Sequence, residues 1–227
     1  MATVDAAAGG RRERRKAQTR AEIRAAAQRL FAERGFDVVT IADIATAADV
    51  AVQTVFNHFD SKEALFFDGR TPWVEGVASA VTTRPDGTGP LAALRNYLED
   101  DLHQLLEQET QPENRSYVEV LARSTSLQER ERTLVEEAGS RVAAALATAL
   151  SSSEQPDGAS VELLSRLAGD LFLVAGRVLV LANRRRVLGT EHGAAARGPE
   201  HASTAATLSM LEDGVRRLAR QLDVRID

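Results

Sequence analysis

Apolar residues in this 227-residue chain recur at intervals of three and four, and no segment alternates apolar with polar over a strand's length. Ile23, Ala27, Leu30 and Phe31 fall at i, i+4, i+7 and i+8, the period of one helical face. Leu94, Leu98, Leu102, Leu105 and Leu106 repeat the pattern further on. A helix-period pattern does not present one continuous face of a sheet, so the chain reads as all-α. Composition agrees, because Ala, Leu, Val, Arg and Glu dominate while aromatics make up only 4%.

Start and stop signals divide that pattern into about nine helices. Residues 1–10 read as an irregular tail. The first helix starts near Arg12 and ends at Gly35, which suits a left-handed cap. Thr40 and Asp43 form a Thr-x-x-Asp capping box that opens a short helix to Ala48. A second short helix covers Val52 to His58, and Ser61 caps a longer one running to about Ala80 with Leu65, Phe66 and Trp73. After a Pro-Asp-Gly loop come a helix over 91–110 and one following Pro112 with Tyr117, Val118 and Leu121 inward. Three more span 127–150, 160–188 and 202–224, with a Gly- and Ala-rich loop over 189–198 before the last.

Several chemistries are excluded. There is no Cys, hence no disulfide, thiolate zinc site or cysteine nucleophile. The most apolar stretch, Leu171 to Asn183, contains Arg177 and is too short to span a bilayer. No apolar run follows the basic residues at 11–16, so they do not begin a signal peptide. The chain reads as soluble and cytoplasmic, with no cofactor and no membrane partner. Its net charge of −5 argues against indiscriminate nucleic-acid binding, but the charge is unevenly spread. Nine Lys and Arg face three acids between Arg11 and Arg34, whereas 17 Arg face 23 acids from Thr71 onward. A basic head on an acidic body fits a chain that touches a polyanion at one end, and Arg15 in that head is a candidate DNA contact. A merely solvated basic face is the alternative.

Residues 40–59 fit a helix-turn-helix. Ala45 supplies the small residue where two short helices meet, and Ile41, Ile44, Val50, Val55 and Phe59 supply packing. The turn requires positive φ, which Asp49 tolerates at more cost than Gly. On the second helix Gln53 and Asn57 share a face, with Thr54 and His58 as the adjacent stripe and Val52, Val55 and Phe56 pointing elsewhere. Amides presented this way fit a major groove, where Gln and Asn pair with adenine edges. Lys62 and the backbone starting the next helix are placed for phosphate.

The stretch Thr40-Ile-Ala-Asp-Ile-Ala-Thr-Ala-Ala-Asp-Val-Ala-Val-Gln-Thr-Val-Phe-Asn-His-Phe59-Asp-Ser-Lys62 resembles the DNA-binding signature of the TetR family of transcriptional regulators. The resemblance covers about Arg12 to Phe67. Asp49 stands where the family usually has Gly, Ala51 where Ser often caps the reading helix, and Phe56 where Tyr is common. The lost cap should cost about 0.5–2 kcal/mol of helix stability. Phe56 has no hydroxyl for a phosphate, whereas Thr40, Gln53, Thr54, Asn57, His58 and Lys62 carry over as DNA contacts. The resemblance implies a homodimeric repressor with a DNA-binding domain over 11–60. A ligand-binding and dimerisation domain would occupy 61–227. A small-molecule effector of unknown identity would release it from a near-palindromic operator, with the helix from Ser61 to Ala80 as the lever. An activator of the same fold, or a DNA-binder without effector, shares these features; no residue grouping supports an enzyme.

In the body the scarce aromatics Trp73, Tyr97, Tyr117 and Phe172 are pocket candidates. Arg177, inside an apolar run, either binds an anionic ligand, pairs with Asp170 or meets an acid across a dimer seam. Gly169 and Gly176, seven apart, would let two helices approach closely, so the subunit contact is placed on that helix and the last; an intramolecular core helix is the alternative. Asp100, His103 and Glu107 have ligand-like spacing, better explained as a solvated face than as a metal site.

Overall fold

The structure, a computed structural model, describes residues 3–151, 158–189 and 201–226. The described residues form eleven α-helices and one short 3-10 helix, with no strand. The helices divide into two compact units, the first reaching to Arg70 and taking in Glu119–Gln128, the second comprising Thr71–Val118 and the chain from Glu129 on. The sequence boundary at residue 60 therefore falls inside the first unit, which holds one further helix and a returning segment.

In the first unit, α1 (Thr3–Arg34) reaches back through the segment expected to be irregular. Ala6, Ala7 and Ala8 are strong helix formers, and no Pro stops the helix before Arg12. Ile23, Ala27 and Phe31 are buried as their spacing requires, and Gly35 closes the helix at φ +83°. The rings of Phe31, Phe36 and Phe66 then meet with centroids 5.1–5.8 Å apart, a tilted cluster that fixes α4 (Lys62–Phe67) on α1. α2 (Ile41–Ala47) begins in the expected capping box, with Asp43 N–H donating to Thr40 Oγ1 and Thr40 N–H to Asp43 Oδ2. α3 (Val52–Phe56) follows and is two residues shorter than the sequence suggests, with Asn57 as its C-cap.

The expected helix from Ser61 to Ala80 is three helices: α4, α5 (Pro72–Glu75) and α6 (Val77–Thr82). Gly69 turns left-handed at φ +68°, and Pro72 restarts the chain at the first position of α5. Gly76 separates α5 from α6, and a Cβ there would collide with the Tyr97 ring, 2.8 Å from Cζ. A single lever helix is thus ruled out, and the splitting raises the helix number above nine.

The second unit packs α5 and α6 with α7 (Pro90–Thr110), α9 (Thr125–Leu150) from Glu129 on, α10 (Gly158–Val187) and α11 (His201–Gln221). A 3-10 turn (Pro112–Asn114) leads into α8 (Arg115–Arg123). Leu94, Leu98 and Leu102 of α7 are fully buried with Trp73, Phe172 and Leu146. Inside this apolar body lies a charged cluster the sequence did not reveal. Arg184 reaches Glu109 Oε1 at 2.7 Å through Nε and Glu131 Oε1 at 2.6 Å through Nη1, all three side chains almost wholly buried. Asn183 adds hydrogen bonds to Leu106 O and Glu109 Oε2. Burial pushes the Glu109 carboxyl above its ordinary range, while the Arg184 guanidinium pulls it back.

Candidate nucleic-acid interface

The turn between α2 and α3 closes as its chemistry demands. Asp49 adopts φ +54°; its N–H donates to Thr46 O and the Val50 N–H to Ala45 O. This is the paired closure usually made with glycine, so Asp49 bears some backbone strain in place of the family residue. Ala51 starts α3 without a side-chain cap. Val55 and Phe59 are buried and set the helix orientation, and Ile44 and Ala45 pack from α2.

Gln53 and Asn57 are exposed on one face, and Gln53 Nε2 donates to Asn57 Oδ1 at 3.2 Å. That bond holds both amides outward at the spacing of one helical turn. Thr54 is half-buried beside them. His58 departs from expectation. Its carbonyl accepts a hydrogen bond from Arg20 Nη1, and its Nδ1 is buried with no hydrogen-bond partner among the described residues. Burial, then the positive charges of Arg20 and Lys16, holds its pKa below the ordinary value. His58 therefore faces α1 rather than a groove. Val52 and Phe56, expected to point away, are the exposed neighbours of the amides instead. On a helical wheel the stripes 52/56 and 54/58 flank 53/57 equally; the second is the half-buried one, with Arg20 of α1 at the His58 carbonyl, and no local signal reports that choice.

Thr40 is exposed, but its hydroxyl accepts from Asp43 N–H and donates to Asp43 Oδ2 at 2.7 Å, so its proton is committed to the cap. Those bonds hold the Asp43 carboxyl below its usual range, with Arg34 adding to the effect from 3.7 Å. Lys62 is also redirected. Its Nζ donates to Phe36 O and Val39 O at 2.9 Å each and lies 4.2 Å from the Phe36 ring centroid. The ammonium ties down the α1–α2 loop and has its donors occupied, which removes it as an outward phosphate ligand. Arg15 lies exposed on α1 with Arg12, Arg14 and Lys16. Arg20 and Arg24 instead bind Asp68 after α4.

Trp73 and Phe172 are core, the Trp73 ring lying against Gly176 of α10. Tyr97 donates to Pro72 O at 3.0 Å, and Tyr117 is buried. Arg177 is half-buried, and its supposed partner Asp170 pairs with Arg166 at 2.7 Å instead, one turn away rather than two. Two surface grooves, of about 640 and 390 Å³, are lined by other residues. The two glycines also look inward: a Cβ on Gly169 would lie 2.8 Å from Gly139 O of α9, and one on Gly176 3.2 Å from Trp73. They permit helix approach inside the unit, so they give no reason to place a subunit contact there.

Two short helices joined by a left-handed residue, the second with amides outward, define a helix-turn-helix protein. Residues 23–68 match the family described as bacterial regulatory proteins, TetR family. The resemblance to that family is carried by this segment, about a fifth of the chain. The chain is similar to the HTH-type transcriptional regulator TcmR of Streptomyces glaucescens, 34% identical over 85 residues covering 37% of this chain and 38% of that one. It is also similar to the HTH-type transcriptional repressor KstR2 of Rhodococcus jostii (strain RHA1), 44% identical over 50 residues, 22% of this chain and 24% of the relative. The matched portion is thus well under half of either relative. Among solved structures, NalD of Pseudomonas aeruginosa aligns with TM-score 0.47 at 21% identity, over 88% of this chain and 96% of that one. A SmeT–triclosan complex aligns with TM-score 0.48 at 21% identity, over 88% and 90%.

Proposed function

We propose that the protein is a ligand-responsive, sequence-specific DNA-binding repressor, acting as a homodimer on a near-palindromic operator. The observation that carries this reading is α3, held by Val55 and Phe59 with Gln53 and Asn57 outward, beside a basic exposed stretch of α1. The amides suit adenine edges, and Arg12, Arg14, Arg15 and Lys16 suit phosphates.

Dimerisation is supported by α10. Leu163, Leu167, Leu171, Val174 and Val178 recur every three or four residues and are all exposed, as is Met210 of α11. A continuous apolar stripe of this length marks a contact surface, and a two-fold dimer would bury it against its own copy. No described helix is long and apolar enough to cross a membrane. The effector limb rests on the resemblance of residues 23–68 to the TetR family and on Arg177, whose Nε is buried without a hydrogen-bond partner among the described residues. An effector must favour an operator-incompetent state, since equal affinity for both states shifts nothing.

Selection of bound DNA from a random pool tests the reading. The expected product is two inverted half-sites about one helical turn apart; a pool that stays random overturns it. An effector then raises the melting temperature and weakens operator binding together, and a protein that selects DNA but answers no ligand is a DNA-binder without effector.

A further inference from the structure

The exposed face of α3 carries more than amides. Val52 and Phe56 are 42% and 47% exposed, one turn apart and immediately beside the Gln53–Asn57 pair. They do not anchor the helix, because Val55 and Phe59 do that from the buried side. Nor do they favour it locally, since Val and Phe are weak helix formers and α3 starts without a cap. A partner must cover them, and the exposed cations of α1 make a polyanion the matching one.

In the major groove of duplex DNA the distinctive apolar group is the thymine C5-methyl, and it sits on the base paired with the adenine that Gln or Asn recognises. We propose that Val52 and Phe56 form a hydrophobic stripe that reads thymine methyls, so that each half-site is specified at adenine–thymine pairs by amide and methyl together. This rests on the DNA-binding reading above and deepens it.

The test replaces thymines of the selected operator one at a time by deoxyuridine, which deletes the methyl and leaves base pairing intact. At one or two positions in each half-site affinity should fall about fourfold, the equivalent of one buried methylene-sized group. Phe56→Ala or Val52→Ala should abolish the penalty at its own position; both side chains are largely exposed, and matching melting curves confirm the fold. If every deoxyuridine operator binds like the parent, or the penalty persists in both variants, the proposal is overturned while the DNA reading stands. Variants that change self-association but not operator affinity overturn it as well. Failure to select any DNA sinks both.

Discussion

The two units handle charge in opposite ways. In the first, cations lie at the surface or clasp loops: Lys62 gathers the carbonyls of residues 36–39, and Arg20 and Arg24 share Asp68. In the second, one guanidinium is buried between two carboxylates in the middle of a leucine core. The first unit thereby keeps α3 at its surface, with the Gln53 and Asn57 amides bonded to each other. The second reverses the usual layout, with ions inside and an apolar stripe of α10 outside. On the proposed reading, base edges would meet the exposed face of α3 and a second copy would cover the stripe of α10.

The contrast breaks most severely at the buried cluster. Arg184→Leu leaves two carboxylates facing each other without a cation and should cost about 3–5 kcal/mol in denaturant unfolding. Replacing all three, with Glu109→Gln, Glu131→Gln and Arg184→Met together, should recover most of that loss. Leu171→Arg on the exposed stripe should weaken dimers roughly a hundredfold in sedimentation equilibrium, because two-fold symmetry places the charge in the seam twice. In the head, Lys62→Met should lower stability by about 1–3 kcal/mol and leave the salt dependence of operator binding unchanged, since the ammonium serves carbonyls rather than phosphates.

The smallest effect is at His58. Its folded pKa lies below the unfolded value of about 6.5, so the unfolded chain binds the proton more readily. Stability from this group is present above that value and is lost as pH falls through 6.5 toward the folded pKa. His58→Gln should therefore flatten part of the decline in melting temperature between about pH 7 and 5.

The same contrast explains what could be read from the sequence. The head is built from local signals: Thr40 and Asp43 stand three apart, Asp49 needs only its own φ, and Gly35 closes its own helix. These were legible, and so were the inward faces of α1 and α7. The cluster of Glu109, Glu131 and Arg184 joins residues 75 and 53 positions apart, and no periodicity announces such a pairing. Lys62 and His58 were misplaced for a related reason. Their own helices suggest outward positions, whereas residues 36–39 and α1 decide what they touch. Gly76 and Pro72 are the local signs that 61–80 is not one helix, whereas the Tyr97 ring, distant in sequence, shows why residue 76 carries no Cβ.

On the proposed reading, α3 presents its amides to base edges. The direct measurement compares wild type with Gln53→Ala and Asn57→Ala on the selected operator and on a scrambled duplex at one salt concentration. Affinity for the operator should fall roughly 5- to 150-fold, about 1–3 kcal/mol, with scrambled DNA bound as before. An equal fall on both duplexes, or none on either, would contradict it.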